Sequence, residues 1–454
     1  MFKRKIYNKL LDWKNNSKGT KALLIEGARR IGKSTLVEEF GKNEYKSYIL
    51  IDFNKVSRVV IEAFENLTEK LDDFFMVLSS EYNTQLYKKE SLIIFDEVQK
   101  YPHARELIKY FVADGRYDYI ETGSLISIKE NVKDITIPSE ERKIRMYPMD
   151  FEEFCWALGN YQILEVIRSC FDKKESLPNG LHNSAMLLFR QYLLIGGMPK
   201  SIDMFISQNK DFGASDAEKR DILNLYREDI RKIDKKYQAK VQATFDQIPA
   251  FLSKHEKRII LSRLNPNAKA DNYEESFFWL ADSMICNECF NCSDPNVGLA
   301  MNEDRTFIKC YMGDTGLLVS HAFSENDITE TNLYRNILFD KLSINEGMLY
   351  ENAIMQMLTA NGHHPYFYTN YNEEKHRTDI EIDFIITEGG KIREKIIPIE
   401  VKSSSKYSTV SLERFITKFK NRISCAYVIH PRNLLLKDGI TCIPPYMTFC
   451  LTWS

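Results

Sequence analysis

The chain has 454 residues, of which 44% are hydrophobic and 28% are charged, and its formal net charge at pH 7 is -2. This composition excludes a globally disordered chain, and the length predicts about three domains with cores of their own. A net charge near zero neither requires nor excludes nucleic acid as a partner, because local basic patches can still bind phosphate.

The sequence contains no pattern typical of a membrane span or a signal peptide. No apolar run approaches the roughly 18 residues that a membrane helix needs, and the basic start MFKRK is followed by the polar stretch LLDWKNNSKG. Nine cysteines without a secretory signal indicate reduced thiols. We therefore expect a cytoplasmic protein without membrane contact.

The first motif is a glycine-rich loop between an apolar strand and an amphipathic helix. The stretch ALLIEGARRIGKSTLVEEF, Ala22 to Phe40, contains the pattern G-x-x-x-x-G-K-[ST]. The backbone N–H groups of such a loop surround phosphate oxygens, its lysine reaches the β- and γ-phosphates, and its hydroxyl binds Mg²⁺. We assign the lysine, Lys33, a catalytic role and Ser34 a metal-binding role. The predicted nucleotide-binding loop consists of Gly27, Ala28, Arg29, Arg30, Ile31, Gly32, Lys33, Ser34 and Thr35.

A second strand ends in two acidic residues. In SLIIFDEVQKY, the continuous apolar run Leu92 to Phe95 predicts a central parallel strand that is buried on both faces. Asp96 at its carboxyl end is the expected partner of Ser34 for Mg²⁺, and Glu97 is the expected general base toward water. The alternative is a strand that simply ends in acidic turn residues.

Two more strands, Ser47–Phe53 and Tyr117–Leu125, fit the same sheet. The second ends in Thr122 and Ser124, whose hydroxyls are candidates for contact with the γ-phosphate. Arg142 and Arg145 follow in the stretch EERKIRMYPMDFEEF, and either is a candidate for contact with a phosphate of its own chain or of a neighbouring subunit. A homo-oligomer, in which an arginine contacts a neighbouring subunit's phosphate, therefore stays an alternative. A solvated basic strand without a functional role is another.

The motifs GARRIGKST, LIIFDEVQK, ETGS and YPMDFEEF resemble the AAA-type ATPase module of a large bacterial and archaeal family. Members of this family carry a C-terminal domain of unknown function. The later stretch FRQYLLIGGMPKSI is similar to the family's Gly-Gly-x-Pro signature, here Gly196, Gly197 and Pro199. The resemblance covers essentially the whole chain, and it implies an ATP hydrolase with ATP and Mg²⁺ at the loop.

The middle of the chain reads as helical up to about Asp246 and as mixed afterwards. Residues 247–332 are similar to the family's winged-helix-like segment, which can contact DNA through Lys254–Arg258 or can serve as a packing unit. The stretch CNECFNC, Cys286 to Cys292, has the spacing of a thiolate metal site, but only Cys310 is near enough in sequence to add a fourth thiol. Buried free thiols are the favoured interpretation.

The last segment places carboxylates on a predicted helix and hairpin. An amphipathic helix contains Glu351, and TDIEIDFIITEGGKIREKIIPIEVK predicts strands Ile380–Thr387 and Ile392–Val401 around a turn at Gly389-Gly390. Alternation places Asp379, Glu381 and Asp383 on one face of the first strand. On the second strand, Glu400 and Lys402 share a face.

This arrangement resembles the PD-(D/E)xK nuclease superfamily, here as Glu351, Asp383, Glu400 and Lys402. The resemblance implies that the three carboxylates bind Mg²⁺ and that Asp383, Glu400 and Lys402 form the catalytic group, with the lysine positioning water. The alternative is a solvated ion pair between Glu400 and Lys402, which is frequent on amphipathic strands.

Together these motifs predict an α/β multidomain chain. The expected domains are a P-loop AAA-type ATPase with a parallel sheet (1–156), a helical lid or linker (157–246), a winged-helix-like domain (247–332) and a restriction-endonuclease-like α/β domain (333–454). The expected function is ATP binding and hydrolysis coupled to a nuclease-like domain that acts on DNA or RNA. The alternative is an ATP-dependent switch whose C-terminal domain binds nucleic acid or protein without cleaving it.

Overall fold

A computed structural model of the chain describes residues 1–123, 139–253, 259–260, 271–296, 298–323, 346–372, 377–387 and 395–452. These residues form two compact units. The first contains Met1–Tyr147 and Asp282–Met284, and the second contains Pro148–Ala281 and Ile285–Ser454. Within the described ranges, no helix combines the length and the apolar character that crossing a membrane requires.

The first unit is built on a five-stranded sheet in which every neighbouring pair is parallel, in the order β2-β3-β4-β1-β5. Its strands are β1 Ala22–Glu26, β2 Ser47–Asp52, β3 Ser91–Asp96, β4 Asp118–Gly123 and β5 Glu141–Arg145. Strands β1, β3 and β4 are buried at every position, and the continuous apolar run of β3 predicts this burial for a central strand. The predicted parallel sheet is confirmed, and the carboxyl ends of all five strands lie along one edge.

Helices cover this sheet and bury an aromatic core. The helices are Ile6–Ser17, Lys33–Glu44, Arg58–Asn66, Leu71–Glu81 and Pro102–Asp114, with a 3₁₀ turn at Val98–Lys100. Phe64 packs edge-on against Phe74 with ring centroids 5.0 Å apart, and Phe74 stacks on Phe111 at 5.2 Å. This core fixes the position of β3, and therefore of the acidic residues at its end.

The second unit combines a helical half with a mixed sheet, and it confirms the predicted helical middle. The helices that follow Tyr147 are Phe151–Ala157, Tyr161–Lys173, Asn179–Ile195, Pro199–Ser207, Phe212–Ile230, Lys235–Ser253, Asp271–Asp282, Thr315–Ala322, Glu346–Ala360 and Val410–Lys418. Short 3₁₀ helices are Leu299–Asn302, Lys420–Arg422 and Pro445–Cys450. The remaining strands are β6 Ile259–Ile260, β7 Cys286–Cys292, β8 Glu303–Met312, β9 Tyr366–Asn372, β10 Arg377–Thr387, β11 Ile396–Val401, β12 Tyr427–Ile429, β13 Leu435–Lys437 and β14 Ile440–Ile443.

These nine strands form one sheet in the order β13-β14-β12-β11-β10-β9-β7-β8-β6. Strand β7 pairs with β9 in parallel through Asn291 and Phe367, so the predicted winged-helix-like segment and the predicted nuclease-like domain share a sheet. The domain boundary expected near residue 332 stays a prediction. This pairing gives the backbone hydrogen-bonding groups along one side of β7 a partner. A sequence pattern within either segment does not reveal that the two strands pair.

The carboxyl-terminal part of the sheet contains the predicted hairpin. Strands β10 and β11 are antiparallel, with Phe384 opposite Ile399, and the chain then passes through the helix Val410–Lys418 to β12, which is parallel to β11. The hairpin is confirmed, although its predicted turn at Gly389-Gly390 lies outside the described residues. The basic stretch Lys254–Arg258 lies outside them as well.

A buried polar network holds the Gly-Gly-x-Pro segment in place. The Asp314 carboxylate accepts hydrogen bonds from the Gly197 N–H (2.5 Å), the Leu317 N–H (2.9 Å) and the Gln356 side chain (3.0 Å). The Gly197 carbonyl in turn accepts the N–H of Met149 at 2.8 Å. A Cβ atom at Gly197 would lie 2.0 Å from the Met149 carbonyl oxygen, so the close approach of backbone to backbone requires glycine there.

We predict that Gly197→Ala lowers the free energy of unfolding of the second unit by about 3 kcal/mol, because the added methyl group would clash with the Met149 backbone and force it away. Denaturant unfolding monitored by circular dichroism measures this change. Gly180→Ala is the matched control, since nothing lies within 4 Å of its Cβ position, and it should be neutral to within about 1 kcal/mol. Equal stability of the Gly197→Ala and wild-type chains would contradict the prediction.

Candidate functional site

The glycine-rich loop connects β1 to the helix Lys33–Glu44 with two residues in the left-handed region, Arg30 at φ 69° and Gly32 at φ 92°. At Gly27 a Cβ atom would lie 2.6 Å from the carbonyl oxygen of Met146. The two loop glycines therefore serve different purposes, since Gly27 allows close packing and Gly32 supplies a backbone conformation that L-residues rarely adopt. The loop ends directly at a helix N-terminus, where backbone N–H groups favour the binding of an anion.

Lys33 folds back over this loop. Its side chain is only 6% exposed, and its Nζ donates to the carbonyl oxygens of Gly27 (2.9 Å) and Ala28 (2.8 Å). Burial lowers the pKa of Lys33 to about 8, although the charges of Glu97 and Asp96 act in the opposite direction. Carbonyl dipoles compensate the ammonium less well than phosphate charges would, so the site favours an anion beside Lys33.

The two predicted magnesium ligands meet at the carboxyl edge of the sheet. The Ser34 hydroxyl donates to Asp96 Oδ1 at 2.9 Å, and the Thr122 hydroxyl at the end of β4 donates to the same oxygen. A hydroxyl and a carboxylate are hard oxygen ligands, and sites of this kind bind Mg²⁺ through one or two protein groups together with substrate phosphates. The residues at this edge therefore fit Mg²⁺, and Ser34 and Asp96 stay its predicted protein ligands.

Glu97 follows directly in a left-handed turn with φ 58°. The Gln99 side chain donates to its Oε2 at 2.5 Å, and the Glu97 N–H donates to the Thr122 hydroxyl at 3.4 Å. These contacts orient a carboxylate beside the metal ligands, where a general base is needed. The motif DEVQ contains Gln99, but no periodicity in the sequence indicates that it turns back toward Glu97.

Arg4 is a second residue that sequence reasoning did not identify. Its guanidinium is buried and donates to the carbonyl oxygens of Ile31 (3.0 Å) and Tyr147 (2.6 Å). It therefore fixes the loop backbone from a position 27 residues upstream of Ile31. The basic start MFKRK gave no signal that distinguishes this contact from a solvated charge.

The sheet register separates the two candidate arginines. Arg145 lies opposite Glu26, the last residue of β1, whereas Arg142 lies opposite Leu23, about 10 Å further from the loop edge. Arg145 thus lies at the carboxyl edge and Arg142 does not, while contact of either with a phosphate stays a prediction. Ser124 lies outside the described residues.

The second constellation forms where the helix Glu346–Ala360 meets β10 and β11. Because Phe384 is opposite Ile399 in this antiparallel pair, Asp383 lies opposite Glu400. Asp383 Oδ2 accepts the Val401 N–H at 2.8 Å.

The remaining predicted residues lie at the same place. Lys402 Nζ is 2.9 Å from Glu400 Oε1, and the Tyr311 hydroxyl donates to Glu351 Oε2 at 3.2 Å. Burial acts to lower the pKa of Lys402, but the charges of Glu400, Asp383 and Glu351 outweigh burial and raise it. The side chains of Glu351, Asp383, Glu400 and Lys402 are therefore close enough for their charges to interact.

Lys309 on β8 enters the same cluster, and the sequence gave no indication of it. It is 1% exposed, and its Nζ lies 3.5 Å from Glu381 Oε1 and 3.7 Å from Asp383 Oδ1. Burial alone would lower the pKa of Lys309, but the charges of Asp383, Glu351 and Glu381 outweigh burial and raise it. Lys309 is therefore a permanent cation beside the predicted metal ligands.

Glu400 shows the opposite electrostatic response. Burial raises the pKa of Glu400 to about 7, with Lys402 acting to lower it and Asp383 acting to raise it further. Among the described residues, no three His, Cys, Asp or Glu side chains are grouped in a way that could hold a metal ion. The three-carboxylate metal site stays a prediction.

A basic surface lies beside this cluster. Between Val401 and Lys437 the sequence has eight lysines and arginines and one acidic residue, Glu413. The helix Val410–Lys418 packs against β10, and the Arg414 guanidinium donates to the Asp379 carbonyl at 3.1 Å. We define the basic face as the exposed side chains Arg414, Lys418 and Lys420.

The cysteines of CNECFNC lie on β7. Cys286, Cys289 and Cys292 are buried, as is Cys310 on β8, and all four are free thiols. Desolvation raises the pKa of Cys289, which keeps that thiol protonated.

The loop, the predicted metal ligands and the adjacent carboxylate are the arrangement expected of a P-loop nucleotide-binding domain. Residues 19–155 match a protein-family model described as an AAA domain, and this range contains all of those residues. The chain therefore carries an AAA-type ATPase domain, for which ATP and Mg²⁺ are the implied ligands. Residues 186–327 and 346–446 match two domains of unknown function, DUF8612 and DUF4143.

A similar solved structure is the crystal structure of a Signal Transduction ATPase with Numerous Domains (STAND) protein with a tetratricopeptide repeat sensor from Pyrococcus horikoshii. The two chains are 12% identical, with a TM-score of 0.25, and the alignment covers 79% of this chain and 48% of that chain. This chain thus spans about half the length of that protein. No curated protein matches the sequence.

We predict that binding of a non-hydrolysable ATP analogue at pH 8 takes up about half a proton through Lys33. The Lys33 side chain with a pKa of about 8 is half protonated there, and the nearby phosphate charges raise its pKa and complete its protonation. Isothermal titration calorimetry in buffers of different ionisation enthalpy measures this uptake, which should fade toward pH 6.5.

Lys33→Arg is the matched control, because an arginine stays protonated over this pH range and has no proton to take up. Equal proton uptake by Lys33→Arg and the wild-type chain would show that the uptake arises elsewhere.

Proposed function

We propose that the chain hydrolyses ATP at the edge formed by the phosphate loop, β3 and β4. The observation that carries the proposal is the hydrogen bond from Ser34 Oγ to Asp96 Oδ1. It brings together, from residues 62 positions apart, the two oxygen ligands that Mg²⁺ needs beside a nucleotide.

Each residue has a separate role in this proposal. The loop N–H groups bind the β-phosphate, and Lys33 exchanges its carbonyl partners for phosphate oxygens. Mg²⁺, when bound, offsets the negative charge that develops on the phosphates. Glu97, oriented by Gln99, accepts the proton of the attacking water, and Arg145 lies at the edge from which it can reach a phosphate.

We predict that Glu97→Gln slows ATP turnover by about 10² to 10⁴-fold while leaving ATP affinity nearly unchanged, because an amide cannot accept the water proton. Steady-state phosphate release and calorimetric binding measure the two quantities. Glu81→Gln, an exposed change at the end of a helix, is the control and should leave both unchanged. Wild-type turnover in Glu97→Gln would mean that another group acts as the base.

We further propose that ATP binding and hydrolysis switch a C-terminal module that binds nucleic acid. The supporting observation is the basic face together with the stretch that contains it. Val401 to Lys437 has eight basic residues and one acidic residue in a chain of net charge -2, and such a local charge suits a polyanion. Aromatic rings accompany these charges, since Lys418 Nζ donates to the Tyr368 hydroxyl at 2.7 Å and lies 5.2 Å from the Phe419 ring centre.

The module either cuts the bound strand through Asp383, Glu400 and Lys402 or binds it without cutting. The ammonium of Lys309 beside Asp383 supports binding without cutting. The predicted homo-oligomer belongs to the same proposal, with Arg145 as the residue offered to a neighbouring subunit's phosphate. Turnover per chain that rises with protein concentration would support it, and concentration-independent turnover would exclude supply in trans.

We predict that replacing Arg414, Lys418 and Lys420 together by alanine weakens oligonucleotide binding uniformly across sequences. The slope of log affinity against log salt should fall in magnitude by about 3, one for each lost phosphate contact. Fluorescence anisotropy with labelled single- and double-stranded DNA and RNA measures it at several salt concentrations.

Lys235→Ala removes one exposed basic side chain at the start of another helix and should leave affinity and slope unchanged. An unchanged salt slope in the triple variant would place nucleic-acid binding elsewhere.

A further inference from the structure

The C-terminal carboxylate cluster already contains a buried cation. Lys309 arrives from β8, its Nζ is 5.0 Å from the centre of the Phe367 ring, and its charge faces Glu381 and Asp383 within 3.7 Å. An ammonium that is 1% exposed loses nearly all of its hydration, and only neighbouring negative charge makes that position stable. The cluster and the lysine therefore require each other.

The strand register explains why a cation is needed there. Asp383 and Glu400 lie opposite one another on β10 and β11, and like charges in that position repel. Lys402 contacts the Glu400 side of the pair, and Lys309 contacts the Asp383 side. Two lysines, one on each carboxylate, thus compensate the repulsion without any other ion.

The carboxylate oxygens leave little room for a divalent metal. Val401 N–H donates to Asp383 Oδ2, the other Asp383 oxygen faces Lys309, and Glu400 Oε1 faces Lys402. Among the described residues, Glu400 Oε2 is the one oxygen of the two carboxylates that is buried without a hydrogen-bond or ion-pair partner. Mg²⁺ prefers about six oxygen ligands in a near-octahedral arrangement, and a dication would be repelled by both ammonium groups.

We propose that Lys309 is the resident cation of this site and that the site holds no divalent metal of its own. The residues that resemble a metal-dependent nuclease centre form a cluster in which Lys309 offsets the charge of Asp383 and Lys402 offsets the charge of Glu400. This cluster holds β10 and β11 in place beside the basic face. The resemblance to the nuclease superfamily therefore implies a bound metal ion, whereas the charges of the residues present oppose one. Because metal occupancy is measured on the protein alone, the inference does not depend on ATP hydrolysis or on nucleic-acid binding.

The test counts Mn²⁺ bound to the nucleotide-free full chain by electron paramagnetic resonance, in an Asp96→Asn background that removes the metal ligand of the ATPase site. We expect no bound Mn²⁺ that depends on Asp383 at millimolar metal, and no Mn²⁺-dependent cleavage of DNA or RNA. Stoichiometric Mn²⁺ that Asp383→Asn removes would overturn the proposal. Cleavage that Asp383→Asn abolishes would overturn it as well.

Removing the charge of Lys309 tests whether the carboxylates need this cation. Lys309→Met keeps an unbranched side chain, one atom shorter, and removes its charge, so we expect a fall in melting temperature of about 6 °C or more in chelator. Part of this loss should return with Mn²⁺ or with the second change Asp383→Asn, because either one relieves the uncompensated negative charge.

A Lys309→Met chain as stable as wild type would show that the ammonium is not needed and would overturn the proposal. If Lys309→Met does not fold, the Mn²⁺ count on the chains that retain Lys309 still decides.

Discussion

A lysine ammonium can be buried only where oxygen atoms replace its water, and this requirement organises both units of the chain. Lys33 is held by loop carbonyls, and Lys309 by carboxylates of the C-terminal strands. A third lysine, Lys219, is fully buried in the helical middle, where it donates to the Leu194 carbonyl at 2.6 Å and lies 3.9 Å from Asp216. At each place the chain brings together oxygens from distant segments, so the charge and the local packing depend on one another.

The partner type separates the two lysines that belong to candidate sites. Burial lowers the pKa of Lys33 to about 8, and the carbonyl dipoles around it compensate its charge only weakly. A phosphate would therefore stabilise this ammonium. Full negative charges raise the pKa of Lys309 despite its burial, so this ammonium gains little from any new anion. The first arrangement suits a site that exchanges ligands during turnover. The second suits a fixed structural charge, and this contrast explains why two lysines that are almost equally buried support different functions.

The second unit shows why contacts between distant segments are harder to predict than local motifs. The helical middle and the β10–β11 hairpin were predicted from apolar periodicity and were found, because both patterns are local. The join between β7 and β9 rests on backbone hydrogen bonds between strands that are far apart in sequence, and these leave no local pattern. Lys309 reaches Asp383 only because β8 belongs to the same sheet. The boundary expected near residue 332 lies between Lys309 and Asp383, so a sequence pattern within either segment gives no sign that the two residues meet.

The sequence by itself determined the phosphate loop, the acidic end of β3 and the carboxylates of the hairpin. These features follow from glycine spacing and strand alternation, which act over a few residues. Only the tertiary structure decided which charges face one another. It placed Arg4 on the loop backbone, Arg145 rather than Arg142 at the nucleotide edge, and Lys309 against Asp383. The physical reason is that a Coulomb interaction depends on separation and burial, and both are set by how distant segments pack rather than by the order of residues along the chain.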